Sequence, residues 1–298
     1  MRRSDFIHLV IGSATVIPCF LGILLYAPTV DAPPKTTPDV PPPAAKTEPI
    51  ITQLVEDADE EIETTETTVE TTAVPFYIAY SLEEMEQLKA GEDLYRELPD
   101  AIIDDCFTVS PITDEVYSRM NGISYVANEN VLISDLSYIR ILHYTPDGQR
   151  RIGELIVNKL IADDVKEIMH ELYNVQYPIE RMVLVDEYGG DDNLAMADNN
   201  SYAFNYRGSA NSETVTAQGQ GLSININPVY NPYVSDGGTT IRPKKGLAYA
   251  NRDESGPMMI DVTDFCYQIF TAHGFSWGGS WGSTKNYMYF EKKPTNAT

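Results

Sequence analysis

Two short stretches of alternating residues hold the side chains that could do chemistry. In Gln218-Gly-Gln-Gly-Leu-Ser-Ile-Asn-Ile-Asn-Pro228, apolar and polar residues alternate strictly over 222–227, the period of a strand with one dry and one wet face. The alternation predicts a strand across 218–228, with Leu222, Ile224 and Ile226 in the core and Ser223, Asn225 and Asn227 facing a cleft. Gly219 and Gly221 would let a backbone or a ligand come close. The second stretch runs from Gly-Gly-Ser-Trp281 through Asn286-Tyr-Met-Tyr-Phe-Glu291 and puts Tyr287, Tyr289 and Glu291 on one face. Polar rows from two core strands would line a single site. His8, His143, His170 and His273 have no metal-ligand spacing to one another.

Several phrases carry a resemblance. Tyr-Ala-Phe-Asn-Tyr-Arg207, Gly-Leu-Ser-Ile-Asn-Ile-Asn-Pro-Val-Tyr-Asn-Pro-Tyr233, Gly-Phe-Ser-Trp-Gly-Gly-Ser-Trp281 and Tyr-Phe-Glu291 resemble, in order and spacing, the VanY-type D-alanyl-D-alanine carboxypeptidases. That family of zinc peptidases includes L-alanyl-D-glutamate endopeptidases. The similarity extends over about 122–292. It implies a zinc held by a His, an Asp seven residues later and a His near the C-terminus, with an acid three residues before that last His as general base. The corresponding residues here are Gln218, Asn225, Tyr289 and, at the general-base position, Asn286. An acid common in relatives is Ser280, beside Trp281. Neutral amides and a protonated phenol leave no anion to balance a dication, and an amide cannot take a proton from water. The resemblance therefore implies a degenerate member without zinc, with Arg207, Ser223, Asn227, Ser280 and Trp281 left to bind a ligand. Arg207 would either engage a ligand carboxylate, for which a guanidinium is suited, or hold a structural salt bridge. Trp277, Trp281, Tyr287 and Tyr289 would line a peptide groove or fill the core.

The remaining sequence must position these residues. Residues 1–27 combine Arg2 and Arg3 with an apolar run over 6–27, long enough at about 1.5 Å per residue to cross a bilayer. The basic tip predicts a single-pass anchor in the bacterial cell membrane with the rest extracytoplasmic; a cleaved signal peptide is the competing reading. Residues 28–75 hold nine prolines and eleven acids against two lysines, a composition that predicts a disordered, extended linker. Residues 76–298 form the expected domain. Of the formal charge of −23, the linker carries −9 and residues 1–27 carry +1, leaving −15 for the domain. That balance excludes nucleic acid as a partner.

Within the domain, Ser81-Leu-Glu-Glu84 predicts a capping box, with Gly91 ending a short helix. A second short helix is expected over 111–120. Pro146-Asp-Gly148 between two apolar runs predicts a hairpin over 138–157. Helices are expected over 162–173 and 261–272, a buried strand over 181–185, a strand over 203–207, and a loop over 189–201. Helices among hairpin-linked strands imply an α+β fold with a mainly antiparallel sheet. Cys106 and Cys266 are the domain's thiols, and their spacing does not decide whether they pair.

These observations predict a membrane-anchored extracytoplasmic pseudopeptidase that binds peptidoglycan stem peptides or a cell-wall protein. The alternative is an active cell-wall metallopeptidase with a rearranged metal site, and a third reading is a purely structural domain.

Overall fold

The computed structural model describes residues 79–207 and 214–293. The expected anchor and linker lie outside them. No helix of the described residues is long and apolar enough to cross a membrane.

The organising unit is the hairpin of β2 (Leu136–Tyr144) and β3 (Arg150–Asn158), antiparallel with Leu136 opposite Asn158 and Tyr144 opposite Arg150. The Pro-Asp-Gly turn sits between them as expected, with Gly148 at a φ of +82°. Strand β1 (Thr108–Pro111) completes a three-stranded sheet. Helix α1 (Leu82–Gln87) starts at Ser81, whose hydroxyl accepts from the Glu84 amide while the Glu84 carboxylate accepts from the Ser81 amide. The helix ends at Leu88, ahead of Gly91, whose amide donates to Ile152 O. Helix α2 spans Asp114–Met120 and α3 spans Ala162–Asn174. Helix α3 buries Val165, Ile168, Met169 and Leu172 on one stripe against the hairpin.

The remainder is more irregular than its pattern suggests. Of residues 181–185, all but the half-exposed Arg181 are buried, and they make no strand. Asn200 takes the place of a neighbouring strand: its Oδ1 accepts from Val183 N at 2.9 Å and its Nδ2 donates to Val183 O at 2.9 Å. Residues 203–207 likewise form no ladder. The expected loop over 189–201 contains helix α4 (Asp192–Ala197), capped by Asp191. Helix α5 (Phe265–Ala272) starts later than expected, after Asp264, while Asp261 instead turns the chain by binding Thr263.

Two further three-stranded antiparallel sheets complete the fold, so three small sheets replace one large one. In the first, β4 (Ser223–Asn225) pairs with β9 (Tyr289–Glu291), which pairs with β7 (Ser276–Trp277). In the other, β5 (Tyr233–Ser235) lies between β6 (Thr240–Arg242) and β8 (Lys285–Asn286). Phe290 stacks on Phe270 of α5 at a centroid distance of 4.2 Å, and both are fully buried. Cys106 and Cys266 are both free and buried; burial pushes the Cys106 thiol up to about 11.

One buried base makes the fold sensitive to acid. His143 on β2 is 2 % exposed, and its Nδ1 lies 2.8 Å from Ile179 O. A carbonyl only accepts, so Nδ1 carries the proton, and Nε2 is buried without a partner. Protonating Nε2 would bury an uncompensated charge, and burial holds the group down at about 4. The unfolded state binds this proton below about pH 6.5 and the folded state only below about 4. Stability from His143 is therefore complete above pH 6.5 and lost on acidification towards 4, by roughly 2–3 kcal/mol. Urea unfolding at pH 7 and pH 4.5 should show that loss in the native chain and a smaller one in His143→Leu. Equal losses in both would exclude His143 as the source.

Candidate functional site

The residues of the two predicted rows do not all reach one place. The expected strand over 218–228 is shorter than its pattern. Residues 218–220 form a 3₁₀ turn, Gly221 follows at a φ of +72°, and only β4 is strand. Gly221 is required there, because a Cβ would lie 2.6 Å from the Asn158 nitrogen. That close approach, with Asn158 N donating to Gly221 O at 2.8 Å, clamps the turn onto β3 and directs Gln218 away from it. Leu222, Ile224 and Ile226 are buried in the core as expected.

A cavity of about 650 Å³ opens above β4, β5, β8 and β9, and Gln218, Asn225, Asn286 and Tyr289 all line it. Asn225 lies directly opposite Tyr289 across β4 and β9. Asn286 arrives from a different sheet, packed so closely on Gly278 that a Cβ there would meet Asn286 O at 2.6 Å. Arg207 and Trp281 also reach the cavity, with Trp281 5.5 Å from the Tyr289 ring.

The other expected binding residues are elsewhere. Asn227 is fully buried with φ +45°; its Oδ1 accepts from Glu180 N at 3.2 Å and its Nδ2 donates to Pro178 O at 2.8 Å. Its amide braces a neighbouring loop rather than facing a cleft. Ser223 is fully buried below Tyr289 and does not line the cavity. Ser280 is exposed on the turn before Trp281, also outside the lining. Trp277 belongs to the core, and Tyr287 packs against it and under the Arg252 guanidinium.

The network at the cavity wall is built around a residue the sequence pattern did not single out. Asp192, the first residue of α4, is 8 % exposed. Its Oδ2 meets Arg207 Nη1 at 2.7 Å, and its Oδ1 accepts from Gln218 Nε2 at 3.0 Å and Asn205 Nδ2 at 3.1 Å. Arg207 Nη2 donates to Gln218 Oε1 at 2.7 Å. Asp192, Arg207 and Gln218 thus close a ring of charge-assisted hydrogen bonds. The tract around it reads as a loop, and nothing local ties Asp192 to Arg207 fifteen residues away. On β9, the Tyr289 hydroxyl donates to Glu291 Oε2 at 2.9 Å. Burial and then the bond and charge of Glu291 hold this phenol well above its ordinary range, despite a lowering contribution from Ser223.

The D-alanyl-D-alanine carboxypeptidase family matches residues 210–292. Over these residues the chain is similar to that family. The match takes in Gln218, Asn225, Asn286 and Tyr289 and begins after Arg207 and Asp192, so it is narrower than the resemblance over 122–292. No curated protein and no solved structure matches the chain.

The zinc that this family uses does not fit the side chains present. Both polar atoms of Gln218 are engaged by Arg207 and Asp192, and a guanidinium stands beside the position a dication would need. Tyr289 keeps its proton and uses it to donate a hydrogen bond to Glu291. Among the described residues, no group of three His, Cys, Asp or Glu side chains is arranged to hold a metal ion. What the cavity offers is a polar wall of amides and phenols with two guanidiniums, Arg207 and Arg242, suited to hydrogen-bonding an extended polar ligand.

Proposed function

We propose that the domain binds peptides of the D-alanyl-D-alanine class without hydrolysing them, as a membrane-anchored, extracytoplasmic pseudopeptidase that recognises peptidoglycan stems. The ring of bonds joining Arg207, Asp192 and Gln218 carries this reading. It commits the atoms of the first ligand position to the protein itself while leaving an open cavity of about 650 Å³ lined by all four family positions. Asn286 has no lone pair basic enough to activate water at neutral pH, so proton abstraction is missing as well as the metal.

The full chain in detergent should purify without stoichiometric zinc and gain no thermal stability when zinc is added, since any ligand that binds only the native state must stabilise it. Diacetyl-L-lysyl-D-alanyl-D-alanine should give binding heat and release no D-alanine. One zinc per chain lost on Gln218→Ala, or release of D-alanine, would overturn the proposal. In cells the protein should stay with membranes after salt washing; an N-terminus found beyond Ala27 in the medium would refute the anchor.

A further inference from the structure

We propose that a second, smaller cavity binds a single-ring aromatic carboxylate, with Arg252 as the cation that holds it. This site is separate from the peptide cavity, and the proposal does not depend on peptide binding.

Asn286, Met288 and Tyr289 line the large cavity, whereas Tyr287, between them in sequence, lines the small one together with Trp277. The two spaces have no lining residue in common. Trp277 is fixed by its indole N–H, which donates to Tyr287 O at 2.8 Å. Met259, Ile260 and Val262 supply aliphatic walls, and the exposed Val262 marks the side open to solvent. The volume of about 200 Å³ is below the roughly 300–1,000 Å³ of sites for drug-sized molecules. It suits one ring and not an extended chain. Aromatic and aliphatic walls favour a flat apolar body.

Arg252 adds a charge to this apolar space. Its guanidinium lies 4.0 Å over the Tyr287 ring. Its Nη2 donates to Tyr230 O at 3.1 Å and to Asn231 Oδ1 at 3.3 Å. Asn231 is fully buried, and its Oδ1 also accepts from Ile260 N at 2.7 Å. The cation is therefore positioned before a ligand arrives, which lowers the cost of binding. Nε is buried without a hydrogen-bond partner, and Nη1 has none among the described residues. Arg119 and Arg151, which are also partly buried, each meet a carboxylate, at 2.5 and 2.6 Å. Arg252 meets none among the described residues, although the domain carries a formal −15. Burial holds it below the usual arginine range, despite raising contributions from Tyr287 and Asp261.

A ligand carboxylate supplies the missing acceptor as a charge-assisted hydrogen bond, while its ring packs on Trp277 and Tyr287. Two acids also line the cavity. Glu254 is exposed, and Asp261 engages Thr263 N and Oγ1, both at 2.7 Å. Charges facing water are screened, whereas a direct contact with a largely buried cation is not. The Arg252 contact therefore outweighs repulsion from the two acids.

Trp277 and Trp281 are the two tryptophans of the chain, so Trp281→Phe leaves an indole emission that reports on the wall of the small cavity. The full chain carrying Trp281→Phe is titrated with phenylacetate and with phenylacetamide, which keeps the ring and removes the charge. Phenylacetate should change the emission saturably and bind at least ten-fold more tightly than the amide, the scale of a charge-assisted hydrogen bond. Adding Arg252→Gln should weaken phenylacetate ten-fold or more and leave the amide within about two-fold. Arg252→Lys keeps the charge and should leave phenylacetate the tighter ligand. Equal binding of acid and amide would overturn the proposal, as would no saturable change with phenylacetate up to about 10 mM. Unchanged acid binding in folded Arg252→Gln would overturn it too. Where Arg252→Gln does not fold, the ratio of acid to amide binding and its persistence in Arg252→Lys decide the question. None of these outcomes bears on peptide binding in the large cavity.

Discussion

Glu154→Ala is expected to lower the unfolding free energy by about 3–5 kcal/mol, the cost of removing one member of a buried charge pair. Glu154 sits mid-way along β3 with 1 % exposure. Its two oxygens take Arg119 bidentately at 2.9 and 2.5 Å, and Oε2 also accepts from the Tyr138 hydroxyl at 2.8 Å. Burial and then the Glu154 charge push that phenol up to about 12. Without the carboxylate, Arg119 keeps only Glu187, an exposed partner at 3.2 Å, and exposed pairs contribute little. The Tyr138 hydroxyl and the Leu184 amide lose an acceptor in the same step. The double variant Arg119→Met with Glu154→Leu should recover most of the loss, because the expensive species is the single uncompensated charge rather than the absence of a pair. Denaturant unfolding of the native chain and the two variants decides it. A loss below 1 kcal/mol in Glu154→Ala would show that the network does not hold β2, β3 and α2 together.

Restoring the family's groups should restore metal before it restores turnover. The set Gln218→His, Asn225→Asp and Tyr289→His supplies three donors, two of them on directly opposed residues of β4 and β9. It also removes the two arrangements that oppose a dication: the Gln218 bridge to Arg207 and Asp192, and the Tyr289 bond to Glu291. Arg207 keeps Asp192 directly at 2.7 Å, so its charge stays neutralised. The triple variant should bind one zinc, with stabilisation of about 2.7 kcal/mol at a hundred-fold excess over Kd, roughly 5–10 °C for a domain of this size. Adding Asn286→Asp supplies the missing base, and slow release of D-alanine from diacetyl-L-lysyl-D-alanyl-D-alanine is the expected sign. Turnover should lag behind metal binding, because hydrolysis needs water and base placed within about 0.5 Å. A folded triple variant with no zinc, its apo melting temperature matching the native chain, would mean that the positions are not disposed as ligands.

The sequence by itself determined the local and periodic features. The capping box at Ser81, the Pro-Asp-Gly hairpin, the stripe of α3 and the burial of Leu222, Ile224 and Ile226 each depend on residues a few positions apart, whose spacing is read directly from the chain. The family phrases fixed which four residues share a cavity, because order and spacing within 210–292 are themselves sequence properties. The tertiary structure decided everything that depended on partners far along the chain. Residues 181–185 lost strand character because the Asn200 side chain supplies the hydrogen bonds a neighbouring strand would have given. Asn227 left the polar row because its left-handed backbone turns the amide inward onto residues 178–180. Asp192 claimed Arg207, and a register of two strand pairings placed Arg242 in line with Asn286. Alternation tells which face of a strand is wet, but hydrogen-bond partners are chosen by which segments the core brings together, and that choice is made by packing over the whole domain.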